Sequence, residues 1–238
     1  MERQEYLNIY KHESDHFFYT SLHSLVVSIL NKYSQKNRVR RILDVGCGTG
    51  GLAAKLQLNF QVEGVDIHPL AVTLARNRRI KARQGSVEKL PKFIHLFDAV
   101  TCIDVIYHKR VKNDVRALTQ LARVVKKGGL LVLRVPAGDR LTAHDVHVHT
   151  KRKYTITTLI PKLIKAGWKV KFISYVHFLP WIIYQLLPQP LSSKSAVTSL
   201  PYGLNTLAKF WLSLESSWLL ANKKLPVGLG IIAVAEKL

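Results

Sequence analysis

Leu43-Asp44-Val45-Gly46-Cys47-Gly48-Thr49-Gly50-Gly51 is the stretch whose reading decides the fold. Arg41, Ile42, Leu43 and Val45 read as a short buried strand, and Leu52, Ala53, Ala54, Leu56 and Leu58 supply the apolar side of a helix after it. A glycine-rich turn between strand and helix leaves backbone bare to a ligand and points free helical N–H groups at it. The stretch therefore reads as a cofactor cradle. Gly46, Gly48 and Gly51 satisfy the dinucleotide spacing G-x-G-x-x-G, which alone has little specificity. Asp66, 20 residues after Gly46 at the end of the run Val62 to Ile67, would hold ribose hydroxyls for either a dinucleotide or another nucleoside. Asp44 separates the two, because a carboxylate beside the loop repels a pyrophosphate and attracts an ammonium group. The ligand is expected to be an amino-acid nucleoside without phosphate.

Three further blocks keep company with the loop: Gly64-Val65-Asp66-Ile67, Phe97-Asp98-Ala99-Val100 and Lys127-Gly128-Gly129-Leu130-Leu131-Val132. With them the sequence resembles the class I S-adenosylmethionine-dependent methyltransferases, in a bacterial and archaeal branch, over roughly residues 38–175. The resemblance implies an α/β fold with a Rossmann-like, seven-stranded, mostly parallel sheet. It also implies S-adenosyl-L-methionine as cofactor, held by Asp44, Gly46, Cys47, Gly48 and Gly50 of the loop, Asp66 and Ile67, Ser86 and Val87, and Ile103, Asp104 and His108. Ser86 stands where the family usually has the acid that binds adenine, and Tyr107 replaces a usual glutamate before His108. His16-Phe17-Phe18-Tyr19 is similar to an aromatic cluster that covers the cofactor in this branch, and His144, Asp145, Arg152 and Tyr154 match its loop after the fifth strand.

In chain order, residues 5–33 read as helical, with Leu22, Leu25, Val26, Ile29 and Leu30 as an apolar stripe. Strands are expected at 61–66, 81–84, 97–103, 130–135, 168–175 and near 229–235. Helices are expected from Pro69 to about Arg78, from Arg110 to Val125 with Lys126-Lys127-Gly128-Gly129 as its stop, over Thr155–Ala166, and from Leu204 to Ala221. The domain is thus divided into an N-terminal helical cap (1–37), a cofactor-binding core (38–175), a helical, basic and apolar insertion (176–228) and a last strand (229–238).

Composition narrows the setting. The chain has 238 residues, 47% of them hydrophobic, but no run approaches the roughly 20 apolar residues of a spanning helix. No apolar signal core follows Met1, so a cytoplasmic enzyme is expected, with peripheral association to the inner face of a membrane as a further expectation. Cys47 and Cys102 have no metal-ligand spacing, and no metal is expected. Lys plus Arg number 36 against 15 Asp plus Glu, a net charge of +21, and no acid occurs between Asp145 and Glu215. An anionic surface or polyanion is implied.

Methyl transfer from a sulfonium requires alignment and, for an oxygen nucleophile, a base. His144 or His149 would be that base with Asp145 orienting it, Tyr154 belongs to the same candidate set, and Arg152 and Lys151 would grip a phosphate or carboxylate of the substrate. No Asn/Asp-Pro-Pro-Tyr/Phe sequence follows the fourth strand, which argues against methylation of adenine or glutamine nitrogen. The expected reaction is O-methylation of a small or lipid-linked acceptor, with Trp181, Ile182, Ile183 and Trp211 beside lysines suiting an anionic membrane surface. RNA methylation, a non-catalytic cofactor-binding module and an NAD-dependent oxidoreductase are the alternatives.

Overall fold

The computed structural model describes residues 3–37, 39–139, 149–186 and 201–238. The order is α1 (Arg3–His12), α2 (Phe17–Asn37), β1 (Arg41–Val45), α3 (Gly51–Leu56), β2 (Gln61–Asp66), α4 (Pro69–Asn77), β3 (Lys81–Gln84), β4 (Phe97–Ile103), α5 (Asp114–Val124), β5 (Val125–Pro136), α6 (Ile156–Lys165), β6 (Trp168–Val176), α7 (Phe178–Leu186), α8 (Tyr202–Leu220) and β7 (Gly230–Lys237).

The strands form one sheet in the order β3-β2-β1-β4-β5-β7-β6. β1 lies parallel to both β2 and β4, and only β7 runs antiparallel to its neighbours β5 and β6. The order therefore reverses between β1 and β4, and ligands of open α/β sheets bind beyond the carboxyl ends at such a reversal. Central strands are apolar on both sides, as a sheet covered on two faces requires. Leu43, Val100, Leu131 and Leu133 pack toward α5 and α6, while Ile42, Ala99, Leu130 and Val132 face α2, α3, α4 and α8. Residues adjacent in a strand thus belong to different layers.

Two departures from the sequence reading have local causes. The helix expected over 5–33 breaks at 13–16, because Glu13 turns inward to the glycine loop, and α2 starts afresh at Phe17. Its first N–H donates to Asn205 Oδ1 of α8 at 2.9 Å, so the cap comes from 188 residues away. The helix expected to begin at Arg110 begins at Asp114, with the Asn113 side chain accepting from Arg116 N at 2.9 Å as its cap. Val125, expected as the end of that helix, is extended and pairs with Phe97, so Lys126–Gly129 lies within an irregular part of β5.

Asn205 also donates from Nδ2 to Asp15 O at 3.1 Å, and Lys209 pairs with Asp15 at 2.8 Å. The insertion thus fastens the turn between α1 and α2. Asn205→Ala should cost about 1–2 kcal/mol and lower the melting temperature by roughly 3–6 °C. A shift below about 1 °C in differential scanning fluorimetry would show that the cap is dispensable.

Candidate active site

The carboxyl ends of β1, β2 and β4 carry the glycine loop, Asp66 and Asp104. Gly46 has φ +77°, and a Cβ there would overlap the Val105 side chain. Gly48 has φ +53° with nothing within 4 Å of where its Cβ would stand, so bare backbone faces open space. Cys47, nearly buried, packs its thiol against Gly64, and burial above all pushes that thiol's pKa up. It is a packing residue.

Asp66 accepts from Gly48 N at 3.0 Å through Oδ2 and from His68 N at 2.8 Å through Oδ1. Each carboxylate oxygen keeps lone pairs for ribose hydroxyls. Burial, opposed by these N–H groups, holds its pKa above the ordinary value. Asp44 is 2% exposed, and its Oδ1 accepts from Thr101 Oγ1 at 2.7 Å. Burial first, then the charges of Asp66 and Glu13, push Asp44 up to about 7.

Glu13 is an essential neighbour that sequence reading missed. It accepts from Thr49 Oγ1, pairs with Arg78 at 2.8 Å, and lies so close to Gly51 that a Cβ there would collide with its carboxylate. The N-terminal end of α3 therefore already faces a protein carboxylate, which opposes a dinucleotide pyrophosphate by charge. Tyr6 is buried over the same region, with its ring 4.6 Å from that of His68, and the charge of Asp66 adds to burial in raising its pKa. An aromatic residue seven positions before Glu13 on an amphipathic helix is the only sequence signal for this cover.

Around β4 the candidate residues separate. Ile103 is half-buried, Ile67 is exposed, Val87 is buried, and Ser86 accepts from Glu88 N at 3.2 Å while keeping its hydroxyl proton to donate. Asp104, in a left-handed conformation at φ +60°, forms an ion pair with Arg134 of β5. Arg134 lies 5.4 Å from the Phe18 ring centre, and Phe18 packs 4.7 Å from His177. Arg134 and His177 were not singled out in the sequence, although an arginine inside the apolar run Leu130–Val135 is a visible anomaly. Tyr19 joins the group at 5.6 Å from Phe18, and burial followed by the charges of Asp104, Glu5 and Glu13 raises its pKa.

His108 and His149 meet edge to face at 5.8 Å. His108 Nδ1 accepts from Arg110 N at 3.1 Å, and burial above all lowers its pKa to about 4, so the imidazole is neutral at pH 7. His149 has φ +64°, and its carbonyl accepts from Lys109 N at 2.9 Å. His144 and Asp145 lie outside the described residues.

Two expectations are corrected. Tyr154 is 1% exposed and donates its hydroxyl to Asp114 Oδ2 at 3.1 Å, with burial raising its pKa, so it is a core tie and no proton donor to a substrate. Arg152 gives its guanidinium to the carbonyls of Ile106, Val111 and Lys112 at 3.0–3.3 Å. It stitches the loop before α5 instead of gripping an anion. Lys151 stays exposed, with its backbone N–H on Tyr107 O at 3.0 Å.

The open space at Gly48 and the carboxylates of Asp44 and Asp66 suit a nucleoside bearing cationic groups. Comparison with known proteins agrees. Residues 43–133 match a family model described as "Methyltransferase domain". The chain is similar to a ubiquinone biosynthesis O-methyltransferase of Xanthomonas oryzae pv. oryzae, strain PXO99A, at 37% identity over 187 residues, covering 69% of this chain and 75% of that protein. A human protein named "Probable tRNA methyltransferase 9B" is 32% identical over 148 residues, or 60% of this chain, which spans only 32% of the human protein. A solved methyltransferase of Thermotoga maritima, described as a possible histamine N-methyltransferase, superposes with a TM-score of 0.61 at 18% identity, covering 98% of this chain and 96% of that one. That last likeness shows the fold alone.

The raised pKa of Asp44 has a defined sign. A group whose folded pKa lies above its unfolded value stabilises the fold below the unfolded pKa, and that contribution is lost as pH rises through about 7. The ligand-free protein should therefore lose this contribution between about pH 4 and 7. A cation beside Asp44 would restore it. The thermal shift produced by S-adenosylmethionine should thus grow from about pH 5.5 to 8, and the Asp44→Asn variant should flatten that growth. Equal shifts at all pH values in fluorimetry would remove Asp44 from cation binding. Tyr154→Phe should lower stability by about 1–2 kcal/mol and leave kcat within roughly threefold; a hundredfold loss of kcat would restore a catalytic role.

Proposed function

The chain belongs to the class I S-adenosylmethionine-dependent methyltransferases, and from that premise we propose that it methylates an oxygen of a small or lipid-linked, largely apolar acceptor. S-adenosylmethionine is its cofactor, and it supplies a methyl group on a positively charged sulfur that leaves without protonation. The chain's own residues need only orient, exclude water and take one proton.

Gly48 exposes backbone that would hold the nucleoside, with Gly46 packed on Val105 shaping the turn, and Asp66 would hold its ribose. Asp44 would face the ammonium group, and Ser86 with the Val87 N–H would serve the adenine edge. The observation that carries the acceptor reading is the wall beyond β4. It includes the Phe18–Tyr19 and His108–His149 ring pairs, with Arg134 engaged by Asp104 and Arg152 by backbone carbonyls, while Lys109 and Arg110 beside His108 stay exposed. Such a wall suits an aromatic or isoprenoid hydroxyl better than a phosphate backbone. The similarity to ubiquinone O-methyltransferases supports the same class.

His149 is proposed as the base, with His144 as its alternative and Asp145 as the group that would orient the imidazole. Its ring meets that of His108, which burial keeps neutral, at 5.8 Å edge to face. RNA is the second reading, favoured by the +21 charge and by the human relative's name. The ring pairs beyond β4, with Arg134 and Arg152 engaged by the protein itself, favour the first reading over it.

The test is transfer of a labelled methyl group to catechols, polyprenyl phenols and unmodified tRNA. A phenolic acceptor should be methylated, and His149→Ala should lower kcat by about 10²–10⁴ while cofactor affinity changes less than threefold. Methylation of tRNA alone would replace this reading with the second one.

A further inference from the structure

α8 has two faces with different fates. Its inner face carries Asn205, Leu212 and Leu219, all buried, together with Glu215, whose carboxylate accepts from the N–H groups of His177 and Phe178. Its outer face carries Leu204, Leu207, Phe210, Trp211, Leu214 and Trp218, each between 46% and 57% exposed. At about 100° per residue these six fall within a stripe of roughly 120° on the side away from the buried face. No charge interrupts the stripe. The helix has only two charged residues, Lys209 and Glu215. Lys209 is paired with Asp15, and Glu215 is turned inward. α7, which contacts α8, has no charged residue and adds Ile183 at 47% and Leu186 at 77% exposure. Among the described residues nothing packs on this surface.

Monomeric proteins rarely leave so continuous an apolar stripe open. Two occupants are physically reasonable: a second copy of the chain or a lipid surface. Charge decides between them, since pairing two copies would bring together two bodies of +21, whereas an anionic bilayer is complementary. The residue types agree. Trp211 and Trp218 are amphipathic rings of the sort that settle at a headgroup boundary, and Lys223 holds its ammonium 4.1 Å over the Trp218 ring at the end of the stripe. Lys224, next to it, is exposed.

We propose that the outer face of α8, with the end of α7, lies in the headgroup region of an anionic bilayer and sets the acceptor side of the active site against the lipid. This deepens the reading of an apolar, lipid-linked acceptor and rests on it for its purpose, though not for its geometry. The inner face of the same helix holds the His177–Phe178 turn and, through Asn205, the start of α2 with Phe18 and Tyr19. A lipid-borne hydroxyl would therefore have one helix to pass.

The experiment is flotation of the full-length protein with phosphatidylcholine vesicles containing or lacking about 30 mol% phosphatidylglycerol, at about 0.15 M salt. The protein should float with the anionic vesicles, and the Trp211→Ser/Trp218→Ser variant should partition at least about tenfold less. Cofactor binding by calorimetry, unchanged in the variant, shows that it is folded. Transfer to a water-soluble catechol is measured alongside, so that a wild type that fails to float with anionic vesicles yet retains transfer overturns this inference and leaves the proposed function standing. Salt-sensitive flotation equal in wild type and variant would overturn it too, since the basic surface would then act without α8. A wild type that stays with the soluble fraction and dimerises, with the variant monomeric in sedimentation velocity, would assign the face to a second copy. Retention on RNA without flotation would likewise overturn it.

Discussion

Carboxylates gathered out of water around the glycine loop set the terms for this structure. The protein has 15 acidic residues against 36 basic ones, yet Asp44, Asp66, Glu13 and Asp104 all sit at or beside the site, each with its pKa raised first by burial. Like charges at this spacing, removed from water, oppose ionisation. Two are relieved internally: Asp104 by Arg134, and Glu13 by Arg78 and the Thr49 hydroxyl. Asp66 has backbone N–H groups, whereas Asp44 has the Thr101 hydroxyl as its donor among the described residues and keeps the strongest demand for a cation. The N-terminal helices are organised by the same constraint, because Glu13 must reach the loop and the chain has to break there.

What was legible in the sequence was what is local. A strand, a glycine turn and a helix are written within 43–58, and the blocks at 64–67, 97–100 and 127–132 each combine apolar runs with an acid or glycine at a strand end. These fix a parallel sheet and the side on which its ligand lies. Illegible were the partners. Arg152 and Tyr154 look like substrate contacts because a charge and a phenol in a polar loop are chemically suited to it, but the backbone around 106–112 and the Asp114 carboxylate claim them first. Glu13, 36 residues before Thr49, has no sequence mark to tell it from a solvated acid at the end of a helix. The irregular start of β5 was hidden likewise, since a Lys-Lys-Gly-Gly run reads as a helix stop wherever the following pairing is unknown.

The insertion between β6 and β7 joins these two scales. Its polar inner contacts, Asn205 to Phe17 and Glu215 to His177, are hydrogen bonds between distant parts of the chain at the edge of the active site. Each protects a backbone N–H that would otherwise be unsatisfied at a helix start. α8 is therefore held by a few directional contacts on one side while its opposite side stays apolar and open. Such a helix can be displaced outward only by exposing those N–H groups, which makes it a firm platform.

The distribution of charge then acts on the reaction itself. Asp44 and its neighbours favour a cationic ligand, and the sulfonium charge disappears when the methyl group is transferred. The same carboxylates that hold the donor thus hold the neutral product less well, by an amount that depends on how far Asp44 is ionised at the working pH. Methylation of a hydroxyl releases one proton, and the acceptor-side base must pass it to solvent before the next cationic donor binds among these carboxylates.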